Sequence, residues 1–418
     1  MTARRFLTVF AALCVLSCPA FSQTAPTEWP QWRGPEREGR SVETGLLKQW
    51  PEGGPPKLWS IDGLGEGYSA ISVKDGRIYT MGTAGGSEVV FALDFKTGKK
   101  LWTKASSNRI YQNDKGNGPR STPTTDGKVL YTEDGLGTVS CWEASNGRRI
   151  WHVSLTADLG GRVPNWGYSE SPLVVGKAVI VTPGGRKGAI AALSKKTGKL
   201  IWQSARAHHA AAYASPILAT VNGKPQIINM TGTGPRQGRR RLGTMIGVDA
   251  NTGQLLWEFS TGVAQIVCCT PVYHDGVVVA SSDYGAGTAA ADISHGNPRQ
   301  LWHLDRRGSH HGGIIRVGDY IYGLIDALTC VKMKTGEVAW RHRSVGKGSL
   351  TYADGHFYCL SENQTAALVE ATPEGYKEKG RFKIPKSGKP SWAHPVVVGG
   401  RLFIRDQDTL TCYDVKAK

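Results

Sequence analysis

Two pairs of adjacent histidines, His208-His209 and His310-His311, and one adjacent cysteine pair, Cys268-Cys269, are the residues of this chain best suited to chemistry. Imidazole binds metals and carries protons near neutral pH, and vicinal thiols can close a disulfide. Arg120 and Lys347 suit an anionic ligand, Glu170 offers a carboxylate oxygen, and Tyr68, Tyr213, Trp166 and Trp392 offer flat faces for stacking. Several chemistries are excluded by pattern. No Gly-x-Ser-x-Gly elbow is present, so serine hydrolysis of that type has no nucleophile. Gly184-Gly185 and Gly232-x-Gly234 lack the strand-to-helix context of a phosphate loop. No Cys/His spacing of a metal centre occurs, so no metal site and no catalytic residue are assigned. Successive side chains of an extended strand point to opposite faces, so at most one histidine of each pair should face a shared site.

The elements that must hold these residues are repeated. A turn with Gly followed by Trp recurs as Asp94-Phe-Lys-Thr-Gly-Lys-Lys-Leu-Trp102 and Glu143-Ala-Ser-Asn-Gly-Arg-Arg-Ile-Trp151. Further copies end at Trp202, Trp257 and Trp340, a stretched one ends at Trp302, and Trp59 stands alone near the start. Successive Trp lie 43, 49, 51, 55, 45 and 38 residues apart, the range of propeller blades. With 53 Gly and 40% hydrophobic residues the chain suits many short strands joined by tight turns. Second strands are expected after Gly76, Gly127, Gly176, Gly223, Gly276, Gly318, Gly355 and Gly399 or Gly400, which makes eight four-stranded antiparallel blades. The eighth ends at Asp414 with no room for an outer strand, while Lys57-Leu-Trp-Ser-Ile61 is an outer strand without a blade. Residues 57–61 should therefore complete the last blade and close an all-β ring spanning 57–418. Phe382 stands where the seventh blade expects Trp. Two residues before the turn motif, Ala92, Cys141, Ala192, Gly247, Ala290, Cys330, Leu368 and Cys412 define a mostly small inward slot. Cys141, Cys330 and Cys412, with Cys359, read as buried thiols rather than disulfide partners.

Loops entering innermost strands cluster at one channel opening. Aligned on the recurring Ser/Thr-Pro, Tyr68, Arg120, Glu170, Tyr213, Cys268, His310, His311, Lys347 and Trp392 fall on that rim.

Residues 1–22 read as a signal peptide, with Arg4-Arg5 ahead of an apolar Phe6–Leu16 segment and small residues before Gln23. Val15-Leu16-Ser17-Cys18 loosely resembles a lipobox that would leave Cys18 lipidated as an outer-membrane lipoprotein, although Leu16 is a poor match. Residues 23–56 form an extended leader. No other stretch is apolar enough to span a bilayer, so a periplasmic or secreted monomer is expected. The formal charge of +17 is spread over Lys-rich turns, apart from Arg236, Arg239, Arg240 and Arg241 in a Gly-rich loop, and no nucleic-acid-binding motif accompanies it.

The Asp/Glu-x-x-Thr-Gly-x-x-x-Trp motif, with the recurring Ser/Thr-Pro before second strands, resembles the pyrroloquinoline-quinone (PQQ) type, or quinoprotein alcohol dehydrogenase-like, propeller repeat over roughly residues 57–414. Trp29-Pro-Gln-Trp-Arg-Gly-Pro35 is similar to the N-terminal tag of secreted planctomycete-type propellers. The resemblance implies that the seven Trp pack against neighbouring blades. It also implies two kinds of function. The non-enzymatic BamB-like members serve as envelope scaffolds, and here would contact an envelope or outer-membrane protein with no cofactor. The enzymatic members are alcohol or sugar dehydrogenases using PQQ and Ca²⁺, in which an adjacent-cysteine disulfide covers the quinone, a role open to Cys268-Cys269. Glu170 could then be one Ca²⁺ ligand, but partner oxygens are not visible. The binding reading is preferred. A glycan-binding module using Tyr68, Tyr213, Trp166 and Trp392 is a further alternative.

Overall fold

The computed structural model describes residues 28–417, except 233–235, 238–239, 264–265 and 326; the side chains of 236–237, 240–242 and 261–263 are likewise not described. The expected signal peptide, Cys18 and the side chains of the Arg236–Arg241 cluster therefore lie outside the described residues. Among the described residues all regular structure is β, in eight antiparallel sheets, each with the strand order of one propeller blade. The first blade runs Ser72–Lys74, Arg77–Ala84, Ser87–Asp94 and Lys100–Ala105 from the axis outward. The fourth blade carries an extra short strand, Arg236–Gln237. No helix among the described residues is long and apolar enough to cross a membrane.

Ring closure is as the orphan Trp59 implies. Lys57–Ile61 pairs antiparallel with Thr409–Asp414, placing Trp59 opposite Cys412. Arg405 seals the same junction from inside. Its buried guanidinium, carried by the eighth blade, donates to Thr80 Oγ1 at 2.6 Å, to Ser69 O at 3.2 Å and to Met81 O of the first blade.

The repeat motif has a local physical cause. Asp94 Oδ1 accepts from the Lys96 and Thr97 amides and the Thr97 hydroxyl, and Asp249 does the same for Asn251 and Thr252. This tightens the turn and leaves the next residue, Gly, in left-handed backbone, +73° at Gly98 and +72° at Gly198. The glycine has a second duty. A Cβ at Gly98, Gly147 or Gly198 would lie 2.7–2.8 Å from Trp59, Trp102 or Trp151 of the preceding blade. Trp59, Trp102, Trp151, Trp202 and Trp302 thus pack on the turn glycine of the next blade, and several indoles donate to that turn: Trp102 to Ala144 O at 3.1 Å, Trp151 to Lys195 O at 2.9 Å and Trp302 to Met333 O at 2.9 Å. Burying one such ring contributes about 2–3 kcal/mol by apolar transfer.

The small slot faces those rings from within the blade. Ala92, Cys141, Ala192, Gly247, Ala290, Cys330 and Cys412 each stand directly opposite their blade's Trp, and the ladder bulges just after most of them. In the seventh blade the residue opposite Phe382 is Ala366; Leu368 falls inside the bulge. Cys141, Cys330, Cys359 and Cys412 are free and buried. The apolar core divides into eight clusters, one at each interface between neighbouring blades.

The leader is not a tail. Trp29 pairs with Val73 of the first blade, and Pro30 O accepts from Thr125 of the second. Arg37 donates to Ser171 O and Pro172 O of the third blade and to Pro216 O of the fourth. Trp32 Nε1 donates to Thr270 Oγ1 of the fifth at 3.0 Å, and Arg33 to Ile314 O of the sixth at 2.5 Å. Gly39 and Ser41 bond to Tyr352 of the seventh, and Glu43 to the Gly399 and Gly400 amides of the eighth. Residues 29–43 therefore touch every blade and fill the channel. Burial lowers Arg33 to about 10 and Arg37 to about 9.

Candidate functional site

With the channel filled from below, one mouth becomes a blind cavity of about 270 Å³. Its floor is Trp32, and its walls carry Tyr68, Trp166, Tyr213, Tyr284 and Trp392. Tyr68 and Trp392 approach to 4.5 Å between ring centroids, and Trp166 meets Tyr213 edge-on at 5.7 Å. Two cations stand over these rings. The Arg120 guanidinium lies 5.4 Å from the Tyr68 ring centre and 5.1 Å from that of Tyr111, fixed by bonds to Gly116 O at 2.7 Å and Gly118 O at 2.8 Å. Lys347 lies 5.2 Å above Tyr284 and 3.7 Å from both Asp283 and Glu362. Burial pushes the Tyr68 phenol up to about 12, so it stays protonated and donates to Lys115 O at 2.5 Å.

The alignment on Ser/Thr-Pro brings Tyr68, Arg120, Tyr213, Cys268, His310, His311, Lys347 and Trp392 together on this cavity. It misplaces Glu170. That carboxyl is buried beneath the rim, where it accepts from the Thr182 amide and faces Arg37 of the leader, and desolvation raises it to about 7. The leader had no counterpart in the blade alignment, so nothing in that alignment revealed that this end of the third blade is covered. His208 is exposed and His209 buried against Glu258, at 2.8 Å, away from the cavity.

Side-chain alternation breaks down at His310-His311. Strand Ser309–Val317 pairs Ser309 with Ile325 and then Ile314 with Gly323, so five steps on one strand match two on its neighbour. His310 and His311 ride on this bulge and both line the cavity, their Nδ1 atoms 3.1 Å apart. Gly312 and Gly313 permit it. A Cβ at Gly312 would strike Gly348 O of the seventh blade, and Gly313, at φ +69°, lies against Arg33. Burial lowers His310 to about 3 and His311 well below the usual imidazole range, so both rings are neutral. Beside them Glu362 accepts from Trp392 Nε1 at 2.7 Å.

Glu362 and Tyr284 were missed by sequence reasoning because they come from turns between second and third strands. In an antiparallel blade those turns emerge on the same face as the entry loops, which is the signal that could have found them. Cys268 lines the cavity, while Cys269 points into the wall toward Ser309 O and His310 O, each at 3.1 Å. Both thiols are free. Burial pushes Cys269 up to about 11 and Cys268 higher, which leaves no thiolate nucleophile.

A quinone held by Ca²⁺ does not fit this donor set. Calcium takes six to eight oxygens, whereas the cavity presents one carboxylate, Glu362, beside two imidazoles.

Fold and site together define a PQQ-type eight-bladed propeller with a plugged channel and an aromatic, cationic cavity at one mouth. The model of the outer membrane protein assembly factor BamB family matches residues 86–342, and the chain belongs to that family. BamB of Yersinia pestis is 24% identical over 68% of this chain and 81% of its own length. Quinohemoprotein alcohol dehydrogenase ADH IIB of Pseudomonas putida is 23% identical over 66% of this chain, and the chain spans about two fifths (39%) of that relative. In fold, the chain is similar to quinohemoprotein alcohol dehydrogenase from Comamonas testosteroni, with a TM-score of 0.67 and 14% identity over 94% of this chain and 81% of that one.

Proposed function

We propose that this chain is an exported binding protein of the cell envelope, acting as a monomeric scaffold of BamB type through the face that carries the cavity. The observation that carries the reading is the preformed cavity itself. Six aromatic rings surround it, Arg120 and Lys347 stand over two of them, and no quinone-type Ca²⁺ cage is present among its lining residues. Rigid aromatic anchors beside cations suit the insertion of an aromatic or acidic side chain from a partner protein. Tyr284, 49% exposed, marks the accessible lip.

The test places a photo-crosslinking phenylalanine analogue at Tyr284 in the full chain in cells. The expected result is a discrete crosslink to an envelope protein that is lost in R120E/K347E. Crosslinking indifferent to those charges would remove this face from the interface. Binding of PQQ with Ca²⁺ by the purified chain, with dye reduction by an alcohol, would replace the scaffold by the dehydrogenase reading.

A further inference from the structure

We infer that His310, His311 and Glu362 form a binding site for a divalent first-row transition metal, with an open coordination position facing the cavity. The inference stands on geometry and is independent of the partner proposed above. Three atoms converge: His310 Nδ1, His311 Nδ1 and Glu362 Oε1. Their separations are 3.1 Å between the two nitrogens, 3.9 Å from His310 to the carboxylate oxygen and 3.5 Å from His311 to it. A triangle with sides 3.1, 3.5 and 3.9 Å has a circumradius of about 2.05 Å, which is the bond length that zinc makes to imidazole nitrogen and carboxylate oxygen, about 2.0–2.2 Å. One cation can therefore reach all three without any side chain moving far.

The surroundings support the same reading. Trp392 Nε1 holds Glu362 Oε1 at 2.7 Å, the kind of outer hydrogen bond that orients a ligating carboxylate. The His-His-Gly-Gly bulge delivers both imidazoles to one side of a strand, a geometry that regular pleating forbids. Two nitrogens and one oxygen select zinc or its first-row neighbours over calcium or magnesium. Three protein ligands leave at least one position open, and the cavity lies in front of it. That position would take water or the carboxylate of an incoming acidic side chain. Lys347 Nζ, 3.7 Å from Glu362 Oε1, opposes the metal by charge.

The experiment is titration of the tag-free full chain with Co²⁺ and with Zn²⁺, followed by calorimetry, Co²⁺ absorption and tryptophan fluorescence. One metal per chain is expected, with visible Co²⁺ bands and quenching of Trp392, whose ring lies 5.9 Å from that of His310 and 5.8 Å from that of His311. H311A and E362Q should abolish binding while circular dichroism stays that of the wild type, and H208A should leave it unchanged. K347M should tighten binding several-fold. W392F should weaken binding about ten-fold. The site is refuted if the folded wild type binds no metal, or if binding survives in H311A or E362Q. Should H311A fail to fold, E362Q, which keeps an acceptor for Trp392, decides the matter alone.

Discussion

At the scale of single residues, the glycine of most repeat turns is held by two separate demands, and substitution can separate them. Gly253 has φ +73° and a Cβ there would collide with the Trp202 ring, whereas Gly296 has φ +88° with open space around it. Gly296→Ala should cost only the left-handed backbone term, about 1–2 kcal/mol, and Gly253→Ala about 2–4 kcal/mol because overpacking is added. Urea midpoints of the two variants check this, and equal values would mean that the Trp yields freely. A second residue-scale prediction concerns pH. Burial, then the neighbouring Asp134 carboxyl, raises Glu88 from 4.5 to about 7, against amide bonds from Tyr111 and Gly135. The folded chain therefore keeps a proton that the unfolded chain releases between those two values. This group's contribution becomes less favourable as pH rises from 4.5 to 7 and is at its worst above that window. The difference corresponds to on the order of 3 kcal/mol. Glu170, also raised to about 7, titrates in the same window, so the reading is the difference: from pH 5 to 8 the stability of wild type minus that of Glu88→Gln should fall by that amount, and parallel curves would place the titration elsewhere.

At the scale of elements, the blades were readable from the chain and the plug was not. A four-strand unit repeats its own local causes: an Asp that caps the turn, a Gly that bends it, a small residue facing the Trp. Each copy reinforces the others, and even the exception at Phe382 keeps an aromatic ring over its neighbour, here Gly54 of the leader. The leader has one copy and no period. Its fold comes from long-range contacts, in which carbonyls of five blades meet Arg33, Arg37 and leader amides while amides or a hydroxyl of the other three meet Pro30 O, Glu43 and Trp32, and no local pattern in residues 29–43 announces them. The same division explains the site. The residues on entry loops were legible, Glu170 was lost because the leader covers it, and the paired histidines were misread because a bulge breaks the period of two. The plug makes its own prediction. Arg37 donates to three buried carbonyls of the third and fourth blades, of which Pro172 O also accepts from Thr124 Oγ1 at 2.6 Å, and bonds to Gln31 Oε1 at 2.9 Å. Arg37→Met should destabilise by about 3–5 kcal/mol, and Arg37→Lys should recover little because an ammonium cannot span that fork. Chemical denaturation gives the first number, and limited proteolysis should cut the leader early in both variants. A leader that stays protected would mean that Arg37 is dispensable to the plug.

At the scale of the whole molecule, the question is whether the ring has an end. Chain order puts Lys57–Ile61 at one extremity of the propeller and Thr409–Asp414 at the other, and an outer strand held only at its edge would fray like any terminus. The packing says otherwise. Trp59 lies on Gly98 of the first blade and 5.8 Å from Phe403 of the eighth, the same arrangement by which Trp202, in mid-chain, lies on Gly253. Arg405 then ties the eighth blade to carbonyls of the first from inside. If closure makes all eight interfaces equivalent, replacing the terminal Trp must cost as much as replacing an internal one. Trp59→Ala and Trp202→Ala should each lower stability by about 3–5 kcal/mol, with one cooperative transition in both. A frayed end would instead make Trp59→Ala nearly silent while Trp202→Ala remains costly. Hydrogen exchange sharpens the comparison: in Trp59→Ala, protection should fall on both sides of the junction, in Arg77–Ala84 and in Arg401–Asp406. Loss confined to Lys57–Ile61 would show that the strand caps the ring without closing it.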